Sequence, residues 1–473
     1  MKNKLIKNTL LWETIQSFSK KELKEFDIFL ASPFFNKREG VLKLYHFLAQ
    51  RTNHTDPEFT KEDAFTFLYK NEPYDDQKMR LAISRLKKIV EQYLIIKEIT
   101  HTRFASEKML LSAFRRRGLG HNFKKTMNYE QKQIDKQPLR NTAYYDTKFF
   151  FEYQNYLKTS ETKRTIPLNL KALDTNLNIA FISKKLRQAA LALSHETVSG
   201  DKYQIPLLEE ALDLATQPPY KDIPAISIYS QFITLFHPEK TINFEQFKEK
   251  LFLQIEYFLK EEFRDIYLAA INFCIRKINN NEEIYRYEAL DLYKKGLALN
   301  LLIENGKLSR FTYNNIVGIA LRIDSPEWVE SFITTYRQFL SPPHHITAYN
   351  LNMARLEFLR KNYKKSLVFL QRADYDDIIN HMTAKILQMK IYFELNEHES
   401  LLALLKSTRA YVNRKKKKSY HFQYWKNTIR FVQKIATVNP YNRKAVTKLK
   451  ADILNEKILS EKEWMVQKLN AMS

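Results

Sequence analysis

Through most of its 473 residues the chain repeats apolar positions three and four apart, the period of one helical face. The first clear stripe is Leu23, Phe26 and Leu30. It follows Ser19-Lys20-Lys21-Glu22, a capping box in which the Ser19 hydroxyl accepts from the Glu22 backbone N–H. The helix so begun should stop near Ser32-Pro33, because proline disfavours helical geometry in the residue before it. Val41, Leu44 and Leu48 stripe a second helix. Thr60-Lys61-Glu62-Asp63 opens a third, with Ala64, Phe67 and Leu68 predicted to face inward. A longer helix is expected over residues 75–98, with Met79, Ile83, Leu86, Val90 and Leu94 on its apolar face.

From Ala105 onward the pattern predicts a succession of helices, broken at Gly118 to Gly120, Gln137-Pro138, Ser160 to Pro167, Ser199-Gly200, Pro218-Pro219, Asn279 to Asn281, Asn305-Gly306, Ser341-Pro342-Pro343 and Asn439-Pro440. Such spacing suits helical hairpins. Only 7 glycines and 14 prolines occur in the chain, too few for a fold rich in β-hairpin turns or phosphate-cradling loops. The expectation is an all-α protein: an N-terminal helical module over residues 1–100, then an array of helical hairpins over 101–473.

Self-similarity is clearest over residues 285–436. SPEWVESFITTY, RKNYKKSLVFLQRA and LNEHESLLALLKST align, placing Trp328, Tyr363 and His398 at two successive intervals of 35. Three positions after each stands Ser331, Ser366 or Leu401. An earlier unit, YRYEALDLYKKGLAL, has Ala289, Tyr293 and Gly296 in the equivalent pattern. These units resemble the tetratricopeptide repeat, a helix, turn and helix whose consensus places small residues where the helices approach closely. In that alignment Ala354, Ser366 and Ala373 take the small positions.

The resemblance implies that units stack into a superhelix with first helices lining a concave surface. Its register would point Asn315, Arg322, Arg355, Lys390, Asn427 and Arg430 toward that groove, with Phe358 and Phe393 beside Arg355 and Lys390. Cations and rings in such a row suit an acidic or carboxylate-ending peptide. The function expected first is therefore a non-catalytic scaffold for a protein or peptide partner.

The N-terminal string SKKELKEFDIFLASPFFNKREGVLKLYHFL resembles the opening of a family of helical proteins from Bacteroidota-type bacteria, which implies a helical fold and no particular activity. The stretch from Phe59 to Leu94 is similar in outline to a winged-helix domain. That likeness implies a second function, a nucleic-acid-associated protein or transcriptional regulator, with MRLAISRLKK entering the major groove.

Charge bears on both expectations. The formal net charge is +24, and no acidic residue lies between Glu399 and Asp452, where 14 Lys and Arg residues fall. Within it Arg414, Lys415, Lys416, Lys417 and Lys418 form a candidate patch for an anionic partner, either nucleic acid or acidic protein. FRRRGLGHNFKK is a second, milder concentration. Cys274, the one cysteine, excludes an internal disulfide, and its apolar neighbours point to a buried thiol. His344-His345 lacks metal-ligand spacing, and acidic runs such as Lys260-Glu261-Glu262 are expected to be helix starts or exposed faces. No Gly-rich phosphate loop, metalloprotease helix or nucleophile elbow occurs, so neither cofactor nor catalysis is expected, although a site assembled from distant residues would leave no motif. No run approaches the roughly 18 apolar residues of a membrane span, and a cytoplasmic protein is expected.

Overall fold

A computed structural model describes residue 6 and residues 9–472, apart from 53–58, 71, 163–166, 200, 237–242, 281, 373–376 and 415–419. Among the described residues it has 23 α-helices and one two-stranded hairpin, so the fold is all-α. None of the helices is long and apolar enough to cross a membrane. Two compact units divide the chain: Met1–Gln137 with Asp146–Asn176, and Pro138–Tyr145 with Leu177–Ser473.

The first unit opens with α1 (Leu10–Gln16), α2 (Lys20–Ala31), α3 (Glu39–Ala49), α4 (Lys61–Leu68) and α5 (Asp76–His101). The expected capping box of Ser19 with Glu22 forms, and Thr60 makes a second one with Asp63 at the start of α4. Phe26 centres the core, its ring 4.9 Å from Tyr45 and 5.2 Å from Tyr93. Glu25 ties α2 to α5 by accepting from the Tyr93 hydroxyl at 3.1 Å and from Lys97 at 2.6 Å.

Two inward assignments change. Phe65 is buried in α4, whereas Phe67 is 41% exposed. On α5 the buried stripe is Met79, Ala82, Leu86, Ile89, Val90 and Tyr93, a seam that leaves Leu94 about 100° round the helix and facing water. No strand directly follows α5. The chain turns through Phe104, in left-handed conformation at φ 62°, into α6 (Ala105–Arg116) and then α7 (Gly120–Lys136), so these described residues hold no wing.

Next come α8 (Thr142–Thr162) and α9 (Leu170–Ser199), within which the two units divide. The second unit continues with α10 (Leu208–Ala215), α11 (Pro224–Thr234), α12 (Phe244–Leu253), α13 (Lys260–Asn279) and α14 (Ile284–Ala298). Glu261 and Glu262 do fall in the first turn of α13, but Glu262 is not on an exposed face. It is buried, accepting from Asn141 at 2.8 Å and Tyr229 at 3.2 Å, with Arg187 at 3.7 Å. Cys274 is fully buried on the same helix, and burial drives its thiol well above the usual range.

A short hairpin, β1 (Ile303–Glu304) and β2 (Lys307–Leu308), leads to α15 (Arg310–Ile323), α16 (Pro326–Tyr336), α17 (Pro342–Leu359), α18 (Tyr363–Gln371), α19 (Ile378–Glu394), α20 (His398–Arg414), α21 (Tyr420–Thr437), α22 (Arg443–Asn455) and α23 (Lys462–Asn470). Successive helices pair as hairpins from α13 onward, and each of α15, α17, α19 and α21 also packs on the helix two places later. His344 and His345 lie in the first turn of α17.

The 35-residue interval recurs in the backbone. Lys361 and Asn396 each take a left-handed conformation, at φ 63° and 59°. The next N–H closes the turn, Asn362 to the Glu357 carbonyl and Glu397 to the Tyr392 carbonyl, both at 2.9 Å. Tyr363 and His398 then begin α18 and α20.

Small residues act where helices touch. The Ser366 hydroxyl donates to the Ala354 carbonyl at 2.6 Å, and both residues are fully buried. A Cβ on Gly296 would stand 2.8 Å from the Tyr267 ring. Ser331, by contrast, is exposed, because α16 buries Val329, Phe332 and Ile333 instead. Ala373 lies outside the described residues.

Candidate functional site

Three of the six groove candidates come together. Arg322 on α15, Arg355 on α17 and Lys390 on α19 line one cavity of about 300 Å³. Its apolar walls are Leu321, Phe358, Ile386, Leu387 and Trp425, and Ser460 and Glu461 close one end. The arrangement follows from the hairpin packing: α15, α17 and α19 lie side by side, and each projects one cation into the same space.

Each cation has a different environment. Lys390 makes an ion pair with Glu461 at 2.6 Å and lies 4.7 Å from the centre of the Phe358 ring. Arg355 uses Nη1 to reach two neutral acceptors, the Asn352 side-chain oxygen at 3.2 Å and the Asn314 carbonyl at 3.4 Å. Its Nη2 rests against Gly318, where an added Cβ would stand 2.8 Å away, so only glycine leaves the guanidinium this space. Arg322 is exposed and makes no hydrogen bond or ion pair with the described residues.

The titration of the site reflects that crowding. Desolvation pushes Arg355 down to about 10; Glu461 works the other way, and Arg322 adds repulsion. Burial opposes ionisation of Glu461, but Lys390, Arg322 and Arg355 outweigh it and hold the carboxyl below its usual range.

The other three candidates lie elsewhere. Asn315 is exposed and hydrogen-bonds the buried Tyr293, outside the cavity. Asn427 donates to the Ile458 carbonyl at 2.8 Å, and Arg430 pairs with Glu456 at 2.9 Å. Phe358 stands on the cavity wall as expected, while Phe393 packs edge-on to Trp464 at 5.4 Å.

Together these contacts trace a feature that no motif announces. Residues 456–464 run across α21, α19 and α14. Glu456 meets Arg430, the Ile458 carbonyl meets Asn427, and Ser460 meets Thr428 at 2.7 Å. Glu461 meets Lys390, Glu463 meets Arg286 at 3.5 Å, and the Trp464 indole donates to Glu394 at 2.8 Å. Leu459, Trp464, Met465 and Leu469 anchor the segment by burial. The cationic row therefore already holds three glutamates of a stretch of the chain itself that also carries Lys457 and Lys462.

The basic stretch between Glu399 and Asp452 is built differently. Lys406, Arg409, Arg414, Lys426, Arg443, Lys444 and Lys448 are exposed on α20, α21 and α22. Arg409 bonds Gln433, and Lys434 approaches Asp452 at 3.9 Å. Of the expected patch, Arg414 ends α20, while Lys415, Lys416, Lys417 and Lys418 lie outside the described residues. Trp425, in the aromatic run after those lysines, is 7% exposed and turned to the cavity. Among the described residues no three His, Cys, Asp or Glu side chains gather as a metal site.

Comparison with known proteins finds no family model, no curated protein and no solved structure that matches the chain.

Proposed function

We propose that the protein is a non-catalytic, tetratricopeptide-like scaffold that holds an acidic protein or peptide segment along its first helices. The observation that carries this reading is the row from Arg430 through Lys390 to Arg286, which seats Glu456, Glu461 and Glu463 of the chain itself by ion pairs and the Ile458 carbonyl by a hydrogen bond from Asn427. A surface that orders one such segment has the charge and spacing to order another. The 35-residue repetition of the turn at Lys361 and Asn396 supports the repeat assignment.

The test is a titration of the full chain with a labelled peptide of the sequence of residues 456–463 at low salt. Saturable binding is expected, in competition with the chain's own copy, weakening at least tenfold when Lys390 and Arg430 are both changed to alanine. Failure to bind, or indifference to the double change, would remove the reading.

A second reading, association with nucleic acid, is favoured by the exposed cations of α20, α21 and α22. Affinity for a duplex would then fall steeply with salt, and neutralising Lys444 and Lys448 would flatten that dependence.

A further inference from the structure

The cavity beneath residues 456–461 has a charge imbalance that the peptide reading does not use. Arg322, Arg355 and Lys390 bring three positive charges to its wall, and Glu461 brings the one negative charge among its lining residues. That carboxylate is committed to Lys390 at 2.6 Å. Arg355 has only neutral acceptors, and Arg322 none among the described residues. The next cation along, Arg286, is met outside the cavity by Glu283 and Glu463. Desolvated Arg355, with exposed Arg322 at the mouth, thus shares with Lys390 the charge of a single carboxylate, and the excess positive charge in this space is offset when an anion completes it.

The shape of the space adds to the charge. Planar guanidinium groups offer paired N–H donors to an oxyanion, and two of them suit a doubly charged head. Behind that head lie Phe358, Ile386, Leu387 and Trp425, apolar walls for a flat body. The mouth lies beside exposed Arg322 and Leu359, the latter 45% exposed, so entry does not require the Lys390–Glu461 pair to open. Gly318 keeps the inner guanidinium in place, since any side chain there would displace it.

We propose that this cavity binds a small organic dianion, its doubly charged head on Arg322 and Arg355 and its apolar body against Phe358 and Trp425. Phosphate monoesters and compact aromatic dicarboxylates share this chemistry. The site stands whether or not a peptide uses the surface above it.

Isothermal titration of the full chain at low ionic strength, with inorganic phosphate, phenyl phosphate and phthalate as separate probes, tests the assignment. Phenyl phosphate or phthalate should bind one to one, at least tenfold more tightly than inorganic phosphate. The tighter of the two identifies the head group. Arg355→Met should weaken the bound probe at least tenfold, and Arg322→Gln, at the exposed mouth, should weaken it severalfold even if Arg355→Met fails to fold. Glu461→Gln should act in the opposite direction and tighten binding, because it removes the competing carboxylate. Absence of saturable binding by both organic probes would overturn the proposal. So would binding that none of the three substitutions changes, or binding of inorganic phosphate as tight as that of the organic probes.

Discussion

The second unit carries two groups of cations that a charge count treats alike. Those on α17 and α19, Arg355 and Lys390, are few, partly desolvated and held by specific neighbours, with exposed Arg322 of α15 beside them; those on α20, α21 and α22 are many and stand in water. Arg355 is pushed down to about 10 by its surroundings, whereas Lys406, Lys444 and Lys448 are exposed side chains. Net charge locates the second group and says nothing of the first. Burial and the supply of partners, set by helix packing, decide which cations are built into a site.

This contrast can be broken most forcefully at the packing that creates it. Ser366→Leu would remove the hydroxyl bond to the Ala354 carbonyl and force a larger side chain between α17 and α18, an overpacking cost of about 3 kcal/mol. Urea unfolding should show a lowered midpoint, together with loss of probe binding in the cavity.

Next in size is Lys390→Met, which leaves Glu461 without its closest partner. About 2 kcal/mol of destabilisation is expected in the same measurement, below the full cost of a dry buried pair because Glu461 is 30% exposed. If midpoints stay unchanged, Lys390 belongs with the solvated cations and the contrast is wrongly drawn.

Glu357 supplies a pH arm. Its side chain is fully buried, 2.8 Å from both Lys365 and Asn362. Burial opposes its ionisation, but these partners and Arg360 prevail and hold the carboxyl below its usual value near 4.5. A carboxylate depressed on folding adds stability that is present above that usual value and fades as pH falls through the folded one. Glu357→Gln should therefore cost about 1 to 2 kcal/mol at neutral pH, with the two proteins converging below about pH 4. Thermal melts across that range decide it.

The smallest effect belongs to the solvated group. Changing Lys406, Lys444 and Lys448 together to glutamine should move stability by less than about 0.5 kcal/mol, while retention on a polyanion column shifts to lower salt. A large loss of stability would show that these lysines are structural.

Local chemistry carried much of the fold into the sequence. The boxes at Ser19 and Thr60 need only residues three apart, and the hairpin interval between Tyr363 and His398 repeats because each turn is made by its own neighbours. Side-chain facing was less legible. Phe65 and Phe67 are both large and apolar, and only tertiary packing makes Phe65 the buried one, its ring against Tyr69 and Tyr74 while Phe67 meets Phe47 from the rim. The candidate site was half legible: the register brought Arg322, Arg355 and Lys390 to one surface. It gave no sign of Glu461, which meets Lys390 across 71 residues through a turn whose residues carry no motif. Asn427 and Arg430, expected to await a partner, are engaged by that same turn.

The return of α23 also sets an order of assembly. Hairpins such as α17–α18 close short loops and can form as each leaves the unfolded chain, while the bonds from Trp464 to Glu394 and from Glu463 to Arg286 span 70 and 177 residues. The C-terminal clasp is the natural last step. Until it closes, Lys390 and Arg430 stand open, so a partner present during folding meets a surface that the finished protein has already covered.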